Sequence, residues 1–218
     1  MGEIDIFKLI IQISALLVAI IGHEIMHGLI ALLYGDESAK IEGRLSLNPI
    51  KHIDLLGSII IPLALFLLKA PFLFGWAKPV PVDIRKVIEN GGYNAAIFVS
   101  LAGILYNLTI AIIASIIIKL VFGGVDESNL ASAILFSFLL YLVIYNIVLA
   151  VFNLLPIPPL DGSQALGYLS LKFNSDKIPL FFNKIERFGI FILFGILLIP
   201  SLSQIIFIPI QFLVRILL

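Results

Sequence analysis

Cysteine is absent from the 218-residue chain, which excludes disulfides and every metal site built on thiolate. Any metal must be held by imidazole, carboxylate or water, and the chain has three histidines. Charge is scarce as well: 13% of positions are Asp, Glu, Lys or Arg, against about 25% in soluble domains. The 14 basic and 14 acidic residues cancel. A nucleic-acid partner is not expected, because such a protein carries a one-sided basic excess. Internal repeats and long low-complexity linkers are lacking too. What fills the space is apolar: 61% of residues are hydrophobic, with a mean hydropathy of +1.14. A small protein lies mostly near its own surface, so a soluble globule of this size cannot hide so much apolar area. The sequence calls for a lipid bilayer as solvent.

Apolar runs long enough to cross hydrocarbon as a helix, about 20 residues, fall near 7–34, 93–122, 130–155 and 188–217. The last contains Pro200 and Pro209 and reads as two short helices, a broken helix or a hairpin. A shorter run, 55–70, is bracketed by Gly57, Pro62 and Pro71 and reads as a re-entrant or marginal span. The expected fold is an all-α polytopic membrane protein of about five to six transmembrane helices. A small membrane-associated hairpin or re-entrant segment would join the first and second core helices. Residues 35–54, with an Asn48-Pro49 turn, suit the hairpin; 71–90, with Trp76 near Lys78, suits a chain at the membrane interface.

One membrane-embedded domain is expected over 1–218, its core at about 7–170 and further helices at about 180–218. The run Leu9 to Leu33 is longer than the apolar part of a signal peptide, and no small-residue cleavage site closes it. No cleaved leader is expected. Lys40, Arg44 and Lys51 share one connector, Lys69, Lys78, Arg85 and Lys86 the next, and Lys172, Lys177, Lys184 and Arg187 a third. The positive-inside tendency puts all three in the cytosol, which requires 55–90 to return to the side it left.

Within the first run lies Ile21-Gly22-His23-Glu24-Ile25-Met26-His27-Gly28. Four residues of helix turn through about 400°, so His23 and His27 project from one face, a turn apart. Two imidazoles so spaced can bind one Zn²⁺, with Glu24 placed to polarise its water. Ionisable groups at the centre of a membrane helix cost about 2.5–3.5 kcal/mol, which favours function over a buried His–Glu cluster that merely ties a bundle together. Catalytic zinc usually takes three protein ligands and keeps one position for water. Asp161, in Asn153-Leu154-Leu155-Pro156-Ile157-Pro158-Pro159-Leu160-Asp161-Gly162, is the leading candidate for the third. Asp-Gly after prolines is also an ordinary turn. His52 competes for the role, although its polar connector suits a solvated or capping side chain.

The HEIMH helix, the Asn153–Gly162 segment and Gly103-Ile104-Leu105-Tyr106-Asn107 together resemble the site-2 protease family of intramembrane zinc metalloproteases. LSLNPIKHIDLLGS and FGWAKPVPVD are similar to its small bacterial members. The resemblance covers roughly 15–170 and implies zinc held by His23, His27 and Asp161, with Glu24 as base. It maps the family's G-x-x-x-N motif to Gly103 and Asn107 and puts that asparagine near the catalytic centre. There Asn107 would bind the scissile carbonyl or orient the substrate strand, whereas an asparagine in a span can also simply bond a neighbouring helix. Asn146 reads as structural, and so does Asn153, which could also hold the turn that presents Asp161.

Two positions depart from the family pattern: Ile104 stands where a proline is common, and Ser163 where a second glycine is common. Neither removes a ligand. The PDZ and CBS modules of larger members are not expected. The implied partners are single-span membrane-protein substrates, and the implied location is a bacterial cell membrane with the active site towards the cytosol. An edge strand from 35–90 would capture the unwound substrate. The alternatives are a non-proteolytic zinc-binding membrane protein, such as a transporter or sensor, and a membrane protease that trims prenylated C-termini. A transporter should carry more ionisable residues along its spans, and the prenyl-protein protease shares only the H-E-x-x-H.

Overall fold

The computed structural model describes residues 3–61, 64, 67, 77–122 and 130–218, with the backbone alone at 3–6 and 59. Helix α1 spans Glu3–Leu33, an apolar stretch free of proline. Inside lipid a helix is the one open-ended form that satisfies every backbone group by itself. A short α2 follows at Ser38–Ile41, then a 3-10 turn at Pro49–His52 and a π-helical turn at Leu55–Ile60. Helix α3 covers Ile84–Phe122, broken at Gly92 (φ 66°, ψ −169°), and α4 covers Leu130–Asn153. After the proline-rich turn come α5 (Asp161–Lys172), α6 (Lys177–Ile185), α7 (Gly189–Leu198) and α8 (Pro200–Leu217).

Among the described residues no strand forms, so the hairpin expected over 35–54 is replaced by helical turns. The Asn48 side chain accepts the Ile50 N–H at 3.1 Å and caps the 3-10 turn that Pro49 begins. The Asp54 carboxylate likewise accepts the Gly57 N–H at 2.6 Å. These amides are spent on local caps, as Asx side chains favour, and are not left to a ladder. Residues 62, 63, 65, 66 and 68–70 of the proposed re-entrant stretch, together with 71–76, lie outside the described residues.

Four described helices are long and apolar enough to cross a membrane: Phe7–Leu33 of α1, then α3, α4 and α8. The apolar run at 188–217 is a broken pair, divided at Ile199, where the backbone is extended ahead of Pro200. With 10 residues, or about 15 Å, α7 is too short to cross. Helices α1, α3 and α4 pack through buried small residues, Ala15, Ala19, Ala111, Ala114 and Ala150, which let backbones approach closely. Ile206 and Ile210 seat α8 on that bundle. Phe7, Ile10 and Ile13 on α1 and Ile112 and Ile116 on α3 face outward, a belt too extensive for a surface that meets water. The protein is an all-α integral membrane protein.

Candidate active site

The helical turn between His23 and His27 brings their Nε2 atoms to 3.1 Å of each other. Asp161 arrives from the first turn of α5 and completes a triangle: its Oδ2 lies 3.1 Å from His23 Nε2 and 3.3 Å from His27 Nε2. His52 stays apart. It is buried, with Nε2 at 2.8 Å from the Ser46 carbonyl, and the cluster that could hold a metal ion among the described residues is His23, His27 and Asp161.

Behind the triangle, the other ring nitrogens settle which lone pairs face inward. His27 Nδ1 lies 2.7 Å from the Val99 carbonyl, which can only accept, so this nitrogen carries the proton. His23 Nδ1 lies 2.6 Å from Asn107 Oδ1. Asn107 is oriented by its own network, because its Nδ2 donates to the Ala19 carbonyl at 3.1 Å and to Asn146 Oδ1 at 2.8 Å. Asn146 Nδ2 in turn donates to the Leu142 carbonyl at 2.7 Å. The chain of donors assigns both amide orientations and the His23 tautomer. In neutral imidazoles, both Nε2 atoms then present lone pairs to each other and to a carboxylate oxygen.

Such an arrangement is repulsive without a cation, and Asp161 Oδ2 is buried with no geometrically sound hydrogen bond. Ligands at about 2.0–2.2 Å from tetrahedral zinc are about 3.3 Å apart, close to the three distances found. The donor set, two imidazoles and one carboxylate, is that of an open catalytic site. These residues fit a divalent metal.

Gly103 and Asn107, one turn apart on α3, both act on His23. A Cβ at Gly103 would lie 2.5 Å from the His23 ring, so the glycine makes room for the imidazole that the asparagine holds. Asn107 is fully buried; both amide hydrogens are donated, to Ala19 and Asn146, and its oxygen faces His23 Nδ1. The Asn153 amide donates to the Leu149 carbonyl of its own helix at 3.0 Å.

Glu24 Oε2 accepts the Val80 N–H at 2.9 Å, from the connector that leads into α3. Sequence reasoning named Asn146 and read it as structural, without its link to Asn107; the Val99 carbonyl, being main chain, leaves no trace in the sequence.

Comparison with known proteins bears on the family. The family model described as Peptidase family M50 matches residues 117–196. "Putative zinc metalloprotease YwhC" of Bacillus subtilis is 38% identical over 155 residues, 71% of this chain and 66% of that protein. "Putative zinc metalloprotease Rip2" of Mycolicibacterium smegmatis is 26% identical over 196 residues, 89% of this chain and 69% of that one. Rip2 of Mycobacterium tuberculosis is 29% identical over 157 residues, 72% and 56% of the two chains. The chain thus spans from about half to just over two thirds of the length of these relatives. No solved structure matches. With this family match and this similarity to YwhC, the chain belongs to peptidase family M50, the site-2 protease family.

Proposed function

We propose that this protein is a zinc metalloprotease that hydrolyses peptide bonds within or near the transmembrane segments of membrane proteins. One observation carries the reading: three inward-facing lone pairs of His23, His27 and Asp161, spaced as zinc ligands, beside a carboxylate on the same helix turn. Bound there, zinc would supply Lewis acidity and lower the pKa of a water towards about 7. Glu24 takes a proton from the water that attacks the scissile carbonyl and passes it to the leaving amine as the C–N bond breaks. Asn107 and Asn146 hold His23 in its working tautomer. The substrate unwinds locally, because a helix hides its carbonyls in hydrogen bonds.

Single-span membrane proteins are the proposed substrates, since a lone helix can enter and unwind without dismantling a bundle. Basic residues cluster at the site's end of the bundle, which supports a site towards the cytosolic face of a bacterial cell membrane. The test is the zinc content of purified wild type, Asp161→Ala and Glu24→Gln, followed by cleavage of single-span substrates. Near-stoichiometric zinc in wild type and Glu24→Gln, its marked loss in Asp161→Ala, and cleavage by wild type alone are expected. A wild type that stays metal-free after zinc supply would overturn the reading.

A further inference from the structure

Residues 78–83, Lys-Pro-Val-Pro-Val-Asp, cross the bundle as a strap without helix or strand before α3 begins. Proline has no N–H, so within Pro79-Val80-Pro81 the main chain offers a single donor. That donor is the Val80 amide, and it meets Glu24 Oε2 at 2.9 Å. The strap is fastened on either side of this point. The Lys78 N–H donates to the His52 carbonyl at 2.9 Å, and the Asp83 N–H to Asp36 Oδ2 at 2.7 Å. Beneath Val80, Gly28 lies one turn along α1 from Glu24; a Cβ there would come within 2.8 Å of Val80 Cγ1. The glycine lets the strap rest directly on the helix that carries the carboxylate.

Arg44 completes the arrangement. It is 4% exposed, and its Nη2 donates to the Lys78 carbonyl at 2.6 Å and the Pro79 carbonyl at 3.3 Å. The Pro79 carbonyl and the Val80 N–H belong to one planar peptide group, whose oxygen and hydrogen point in opposite directions. A guanidinium therefore grips one end of a peptide dipole and the Glu24 carboxylate accepts from the other, and hydrogen bonds in such a chain polarise one another. One oxygen of Glu24 is tied. Among the described residues Oε1 has no partner, which leaves it for the proton.

We propose that the strap 78–83, clamped by Arg44, is the positioning element that orients Glu24. The inference rests on Glu24 acting as the base. A carboxylate on a flexible side chain delivers its rate only when aimed, and misplacing a catalytic group by about 1 Å costs roughly a hundredfold. Arg44 and Val80 are positioning residues; neither touches the zinc ligands.

Two measurements test this. The first is amide hydrogen exchange at Val80 in wild type and Glu24→Ala, with the Lys78 amide as internal reference. Val80 exchange should accelerate by roughly tenfold or more when its charged acceptor is removed, and Lys78 should not change. Equal Val80 exchange in the two proteins overturns the inference, whatever the activity.

The second uses a pool of quenched-fluorescence polyleucine spans, each broken at its centre by a Gly or Pro, in detergent micelles. Arg44→Ala should lower kcat by roughly tenfold to a hundredfold, with KM and zinc content unchanged. Arg44→Lys, able to reach one carbonyl, should recover part of the loss. A cleaving wild type whose Arg44 variants both keep full kcat sinks the inference alone. A wild type no faster than Glu24→Gln sinks the proposed function and the inference together.

Discussion

At the scale of single residues, the decisive feature is that His23 is held from behind by a pair of asparagines. Asn107 bonds its Nδ1 at 2.6 Å, and Asn146 orients Asn107 from a different helix. Partners that fix the orientation of a metal-binding histidine are worth about 10–100-fold in metal affinity. Asn107→Ala should therefore weaken zinc binding by that order, measured by competition with a chromophoric chelator. Asn146→Ala should produce a smaller loss in the same direction, because Asn107 keeps its bond to Ala19. Unchanged affinity in both variants would reduce the pair to interhelical packing. The pairing also shows which part of the Asn107 environment the sequence does not report. H-E-x-x-H is legible because both ligands sit on one helical turn, and Asp161 because an acidic residue after an apolar span stands out. The partner that consumes the Asn107 amide lies 39 positions away on another helix, and no local pattern reports it.

At the scale of elements, the connector after α1 is organised by Asp36. It is fully buried; its Oδ1 accepts from the Ser38 N–H at 3.0 Å and hydroxyl at 2.5 Å, and its Oδ2 from the Asp83 N–H. Burial pushes its carboxyl up, but the Ser38 bonds, the Asp83 amide and nearby Lys86 outweigh burial and hold it below the usual carboxylate range. A lowered folded-state pKa means stability that is fully present above the unfolded value of about 3.9 and lost as pH falls through the folded one. Wild type should therefore melt above Asp36→Asn at neutral pH. The gap should close as the pH is lowered below the carboxylate range, read by thermal scans of the two proteins side by side. A gap independent of pH would mean that Asp36 acts by shape and not by charge. This connector was the part least legible in the sequence. Its Asn48-Pro49 turn signal was read as part of a hairpin, yet a side chain such as Asn48 or Asp54 can equally cap a helical turn. Tertiary bonds such as Asp36 to Asp83 decide between them.

At the scale of the whole molecule, the contacts fix which ends of the helices lie together. The C-terminal half of α1, the N-terminal half of α3 at Val99, and the turn from α4 into Asp161 meet at the triangle of His23, His27 and Asp161. Gly189, at the start of α7, packs on the Pro158 carbonyl at this same end. At the other end the Ser115 hydroxyl of α3 donates to the Leu217 carbonyl of α8. The bundle thus has a site end and a far end. The site end carries Lys40, Arg44, Lys51, Lys78, Arg85, Lys86, Lys172, Lys177, Lys184 and Arg187; among the described residues the far end has Lys8, Lys119 and Arg215. That asymmetry predicts the site end in the cytosol. It also predicts that the chain from Lys51 to Glu89 leaves and returns on one side, whatever path lies between. Because the protein has no cysteine, single substitutions report topology without a background. Lys51→Cys, Glu89→Cys and Lys177→Cys, all at exposed positions, should resist a membrane-impermeant maleimide in intact cells and react once the membrane is opened. Ala131→Cys at the start of α4 should react in intact cells. Opposite behaviour of Lys51→Cys and Glu89→Cys would require an odd number of crossings between them. The Asp83–Asp36 bond, which ties the chain just before Glu89 to the connector that carries Lys51, would then have to join chain segments from opposite faces of the membrane.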